Sequence, residues 1–291
     1  MTSSALASPT LNWPASLELK LALTQRGNRL IHNRHQGPLY VQKPFYPEGP
    51  DCAHLYLLHP PGGIVSGDEL NIDIAQQSSG HALVTTPGAA RVYKGRADQS
   101  TQAQHVNLHL EPNASIEWLP METLIYPGSN SSLSQSVYLS ENSQYLGWEI
   151  ACLGLVDCQQ PFTKGHYCQA LKIYRNNRLK LHDRLVVAGS DEPQSLMHSP
   201  LALNGYPIHG LLVATADNFT TNELKVLREI SEPFEQSAEN QVGITQINDI
   251  LIVRFLGQHS ETCRQLFTQI WQHLRPLMIN KVACAPRIWR T

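Results

Sequence analysis

The run His59-Pro60-Pro61-Gly62-Gly63-Ile64-Val65-Ser66-Gly67-Asp68 is the densest cluster of chain-bending residues in this sequence. Proline fixes φ and glycine permits positive φ, so Pro60, Pro61, Gly62, Gly63 and Gly67 specify a stiff, tight connection. His59 and Asp68 flank it. If the loop folds back, they bring one imidazole and one carboxylate to a common point, a combination that divalent nickel or zinc accepts. An aspartate in such a turn can equally hydrogen-bond the backbone N–H groups of the turn itself. Phosphate binding is not indicated, because no lysine follows the glycines and the next element reads as a strand rather than a helix.

Four acidic residues, Asp68, Glu117, Glu122 and Glu149, lie in or beside apolar strands. A pair of them could perform general acid/base work, and each could instead be satisfied by hydrogen bonds. His105 and His109 stand four apart, which on a helix would chelate, but in an alternating strand they lie ~13 Å apart, too far to share an ion. His32 and His35 sit among Arg26, Arg29 and Arg34, a composition that suits a solvated loop or an acidic partner. There is no GxSxG elbow and no cysteine in a protease context. The six cysteines contain no CxxC, so reduced thiols are expected. Arg287 and Trp289, on either side of Ile288, are of the types that dominate interface hot spots, although Trp289 could also fold into the protein's own groove.

The elements that must position these groups are mostly strands. Leu17, Leu19, Leu21 and Leu23 alternate with polar or small residues, as do Leu70, Ile72 and Ile74, and Val106, Leu108 and Leu110. Further strands are expected at 39–42, 54–58, 81–86, 115–119, 136–139, 145–153, 167–174, 178–187, 209–215 and 250–256, between turn residues. Two segments have helical period. Cys263, Leu266, Phe267, Ile270, Trp271 and Leu274 form one stripe, in a helix expected to stop by Pro276. The other helix opens at Thr220 with Glu223 in capping-box spacing and is expected to end before Pro233, leaving 231–241 as a surface loop and the first dozen residues as a tail.

With 22 Lys+Arg against 24 Asp+Glu, the formal charge of -2 excludes the strongly basic balance of a dedicated nucleic-acid binder. At 42% hydrophobic and 16% charged the chain should fold, and its length of 291 residues is compatible with one domain over 1–291. No window approaches a membrane span and the start MTSSALASPT has neither a basic nor a continuous apolar region, so a cytoplasmic protein with no membrane partner is expected.

Taken in order, LELKLAL, RHQGPLYVQKPFYPEG at 34–49, LYLLHPPGGIVSGDELNIDI at 55–74, ALVTTPGAARVYKG at 82–95, IEWLPMETLIY at 116–126, LGWEIACLG at 146–154 and PRIWRT at 286–291 resemble the UreD (UreH) family of urease accessory proteins over nearly the whole chain. Ser66 stands where that family usually has Gly, and Arg91 where it often has Lys. The resemblance implies a mainly β fold, a helical stack of strands with two α-helices in the C-terminal part. It also implies a noncatalytic scaffold that joins a UreF-type protein and a UreG-type GTPase, docks on the urease apoprotein and helps deliver nickel. No tightly bound cofactor is then expected, only transient nickel.

Within that expectation, Asp68, His59, Glu122 and Glu149 are the candidates for a nickel route, and Arg287, Ile288 and Trp289 for a partner contact. Isolated carboxylates and one imidazole suit passage, because a closed ligand set would trap the ion. The competing class is an independent metal-dependent hydrolase using His59, Asp68 and a third ligand such as Glu122, which requires all three preorganised around one ion.

Overall fold

The computed structural model describes residues 13–192, 195–215, 219–236 and 239–290; the expected tail lies outside them. In chain order the first strands are β1 (Pro14–Thr24), β2 (Gly27–Gln36), β3 (Tyr40–Val41), β4 (Cys52–Leu58), β5 (Glu69–Gln76) and β6 (His81–Thr85). Next come β7 (Ala90–Val92), β8 (Gln102–Leu110), β9 (Ser115–Trp118), β10 (Thr123–Ile125), β11 (Asn130–Leu139) and β12 (Gln144–Leu155). The C-terminal part holds β13 (Gln160–Pro161), β14 (His166–Arg175), β15 (Arg178–Ala188), β16 (Ile208–Thr215), α1 (Thr221–Glu235), β17 (Asn240–Ile247), β18 (Ile250–Gly257) and α2 (Ser260–Ile279).

The chain winds between two sheets. One has the order β15-β14-β11-β8-β5-β1-β2, the other β17-β18-β16-β12-β9-β6-β4-β3, with β10 and β13 attached beside β12 and β7 beside β10. Each circuit adds one strand to each sheet, so β1, β5, β8, β11 and β14 run parallel in the first, and β4, β6, β9 and β12 run parallel in the second. This is the expected helical stack of strands, closed at its ends by antiparallel hairpins. Leu17, Leu19 and Leu21 of β1 and their partners Ile72 and Ile74 on β5 point into the core between the sheets, which the facing strands complete, whereas Leu23, also expected to be buried, is exposed at the hairpin end of β1. The second sheet is apolar on both faces: Leu83, Trp148, Leu212 and Val253 face a second core built with Leu266, Phe267, Ile270 and Trp271 of α2.

Several boundaries differ from expectation. The basic stretch around His32 is not a loop but strand β2, half-exposed on both faces and held by its hairpin with β1. β11 begins at Asn130 rather than 136, because Ser131 and Gln135 occupy inward positions where an apolar residue would have shown the alternation. β17 takes part of the expected loop, pairing with β18 and packing Val242 and Ile244 against the helix-side core.

Both helices run through their prolines. α1 continues past Pro233 to Glu235 and α2 past Pro276 to Ile279. In each case the proline sits in the last turn, where one missing N–H is the main loss, and in α2 burial of Arg275 and Met278 offsets it. The capping box forms as expected: Thr220 Oγ1 accepts from Glu223 N–H at 3.2 Å, and Glu223 Oε2 accepts from Thr220 N–H.

Candidate functional site

Three consecutive rows of the second sheet break at the same level, and each break contains proline. β4 stops before His59–Gly63, β6 is separated from β7 by 86–89, and β9 is separated from β10 by 119–122. Pro60, Pro61, Pro87 and Pro120 cannot donate to a ladder, so the rows part there instead of continuing. β12 runs on unbroken beside the gap. Its register with β9 ends at Gly147↔Trp118 and resumes with β10 at Ala151↔Thr123, leaving Glu149 opposite the opening.

The gap is the wall of a cavity of about 250 Å³ lined by His59, Gly63, Arg91, Gln104, Trp118 and Glu149, among mostly apolar neighbours. That space is far more than one water needs, so a small cation with part of its water shell fits. The Trp118 indole N–H donates to Glu149 Oε1 at 2.8 Å. Burial pushes the Glu149 carboxyl up to about 7, against the smaller lowering effect of that bond. Burial likewise lowers the His59 imidazole, and the Asp68 carboxylate opposes that shift. Arg91 is the unfavourable group for a cation, exposed on the same loop cluster.

The 59–68 loop is pinned rather than free. Ile64 N–H donates to Arg91 O at 2.7 Å and Tyr93 N–H to Ile64 O at 3.0 Å, while the buried Gln102 amide donates to Ile64 O and Tyr93 O. Gly63 is required by close approach: a Cβ there would fall 2.3 Å from the Tyr93 ring. Asp68 is consumed locally, its Oδ2 accepting from Val65 N–H at 2.9 Å and its own N–H donating to Val65 O. Gly67 takes the positive φ of 86° that this turn needs.

The four route candidates therefore separate. His59 and Glu149 line one cavity, together with Gly62 and Gly63, while Asp68 stands behind its rim and holds the loop. Glu122 lies elsewhere: burial pushes up the thiols of Cys152 and Cys263 in the helix-side core, the Glu122 carboxylate adds to that, and Glu122 Oε2 is buried without a partner. His59, Asp68 and Glu122 do not converge. Among the described residues, only Glu48, Cys52 and His54 bring three such ligand atoms within 4.8 Å of one another.

The sequence model of the family described as UreD urease accessory protein matches residues 14–290. The chain belongs to the UreD urease accessory protein family. It is 42% identical to the urease accessory protein UreD of Psychromonas ingrahamii, with 98% of this chain and 96% of that protein covered. It is 42% identical to that of a Marinomonas species (96% and 90% covered) and 38% identical to that of Saccharophagus degradans (100% and 97%). Ser66 is buried and its Oγ accepts from Arg96 N–H at 2.7 Å, which ties the loop to the segment that leads into β8.

The Glu48–Cys52–His54 group of this UreD-family chain is filled by a guanidinium. Arg275 of α2 is fully buried; its Nη1 and Nη2 fork onto Glu48 at 2.6 and 2.7 Å, and its Nε reaches both oxygens of Glu117 at 3.0 and 3.1 Å. Arg275 Nη2 also stands 3.8 Å from Cys52 Sγ, in the space an ion would need. His54 and His81 bond the outer sides of the two carboxylates, and Trp271 Nε1 donates to Glu117. Burial would raise the Glu48 carboxyl, but its bonds to His54 and Arg275 bring it down to about 2. Burial pushes the Cys52 thiol strongly up, with the Glu48 carboxylate adding to it, which opposes metal-binding thiolate.

This cluster was not legible as a unit, since its members come from four separate stretches, 48–54, His81, Glu117 and 271–275. The only local signal is an arginine on the apolar stripe of a helix. Close by, Trp289 packs within the chain: its ring lies 5.7 Å from Trp148 and 5.8 Å from Trp271, and its Nε1 donates to Thr85 Oγ1 at 2.9 Å. Arg287 points to solvent from the 3-10 turn Arg287–Arg290, with Ile288 half-buried beside it.

Proposed function

We propose that this chain is a noncatalytic scaffold of urease maturation that acts in the cytoplasm with a UreF-type protein and a UreG-type GTPase, docks on the urease apoprotein and helps nickel reach it. Family membership supports the accessory role. The observation that carries the nickel part is the cavity in which Glu149 and His59 face shared space without a closed ligand set. One carboxylate lowers the cost of a hydrated divalent cation in an otherwise apolar cavity, and one imidazole adds a borderline ligand at its loop side. Two such groups hold an ion weakly enough to release it, whereas the three or four preorganised ligands of a metal hydrolase would retain it. Nickel is cargo in this reading. Asp68 serves it indirectly by shaping the loop, and Arg287 and Ile288 offer a partner contact on a turn fixed by Trp289.

The test is coexpression of urease subunits and the accessory proteins at limiting nickel. Glu149→Gln and His59→Ala are expected to leave the complex with partners and apo-urease intact while lowering the nickel content and activity of the urease produced. Full nickel content with both variants combined would remove the cavity from the route.

A further inference from the structure

The two sheets are treated unequally on their outer faces. Helices α1 and α2 cover the second sheet, whereas no described helix lies on the first, whose last strand β15 is an 11-residue edge. That edge has a one-signed outer row. Lys180, His182 and Arg184 alternate along it and are exposed, and Lys172 of β14 stands opposite His182 in the register. Arg178 is exposed at the start of the strand, beyond the bulge between Ile173 and Tyr174. Among the described residues, none of Lys172, Arg178, Lys180 and Arg184 has a carboxylate within 4.0 Å. The strand's one acidic residue, Asp183, is bonded instead to Arg254 of β18.

We propose that β15 is a docking edge for an extended, acidic segment of a protein partner, added as a further strand. Alternate side chains of an extended chain recur every 6.6–6.8 Å or so, which is the spacing of the Lys180, His182 and Arg184 row, so carboxylates at alternate positions meet Lys180 and Arg184 and accept from an imidazole N–H of His182 between them. The unpaired backbone groups of an edge strand supply the main-chain bonds. A nucleic acid fits less well. Its bases need free aromatic faces, and the outer-face rings His109, Tyr138 and Tyr174 are stacked on one another, with centroids 4.6 and 5.1 Å apart. The bland role for the cations is to keep edges of two copies apart. That role predicts self-association when they are neutralised, and no ligand.

The experiment uses the full chain and labelled peptides of about ten residues in fluorescence anisotropy, one alternating Glu and Thr, one with the same residues in two blocks, and one alternating but N-methylated at every second amide. The alternating peptide is expected to bind, to weaken as salt rises from about 0.05 to about 0.3 M, and to lose at least about tenfold on N-methylation. The variant Lys172→Glu/Lys180→Glu/Arg184→Glu, with unchanged circular dichroism, is expected to lose a similar factor. Equal binding of the block peptide, tighter binding of a single-stranded DNA oligonucleotide, or no binding of the alternating peptide would each overturn the proposal. The N-methylated peptide tests it without altering the protein.

Discussion

Glu149 shows how one residue's environment sets its chemistry. Its unfolded-state carboxyl titrates near the ordinary 4.5, whereas in the fold burial raises it to about 7. The folded chain therefore holds the proton to higher pH than the unfolded chain, and the fold loses stability as the pH rises from 4.5 to about 7. The full difference corresponds to about 3 kcal/mol at most. Glu149→Gln is expected to remove that slope, so that urea midpoints at about pH 5 and about pH 8 differ less in the variant than in the parent chain. Identical slopes would mean that Glu149 is ionised at neutral pH with no penalty. A neighbouring cation acts in the opposite direction, stabilising the carboxylate, which is why the same group suits a transient ion.

At the scale of elements, α2 is fastened to the second sheet by charge as well as by its apolar stripe. Arg275 binds Glu48 and Glu117 from inside a closed cluster, and removing one partner of a buried pair leaves uncompensated charge behind. Arg275→Met is expected to cost about 3–5 kcal/mol in urea unfolding. A loss below about 1 kcal/mol would show that the cluster relaxes or hydrates without penalty. Acid should act on the same element. The Glu48 carboxyl is depressed to about 2, so its contribution is complete above its ordinary 4.5 and is lost as the pH falls from there towards 2.

The molecule as a whole leaves much uncovered. Leu201 is 97% exposed, Val282 82% and Trp13 65%, and each sheet ends in open edge strands. Alone, the chain is expected to self-associate at high concentration, and a UreF-type partner is expected to restore a single species in sedimentation velocity. A monodisperse monomer without any partner would contradict this. The cations of β15 limit pairing along one edge only, so self-association should proceed through the apolar sites and the remaining edges.

Period decided what was legible in the sequence. Strands with one apolar face, such as β1, β5 and β8, and the stripe of α2 could be read because burial demands the same residue type at every second position or every helical turn. β2 and the first half of β11 could not, because hydrogen-bonded pairing, rather than their own apolar pattern, holds them in place. The prolines of the HPPGG loop and of Pro87 and Pro120 each announce a local stop, but only the winding of the chain sets those stops side by side and turns them into a cavity facing Glu149. The direction of Glu122, the capture of Asp68 by its own turn, and the meeting of Arg275 with Glu48 and Glu117 also depend on which circuits become neighbours. Local sequence specifies turns, caps and faces through short-range sterics and periodicity. Contacts between residues 227 positions apart, such as Arg275 with Glu48, exist only after the whole stack has closed, because it is burial from several sides that makes their charges seek each other.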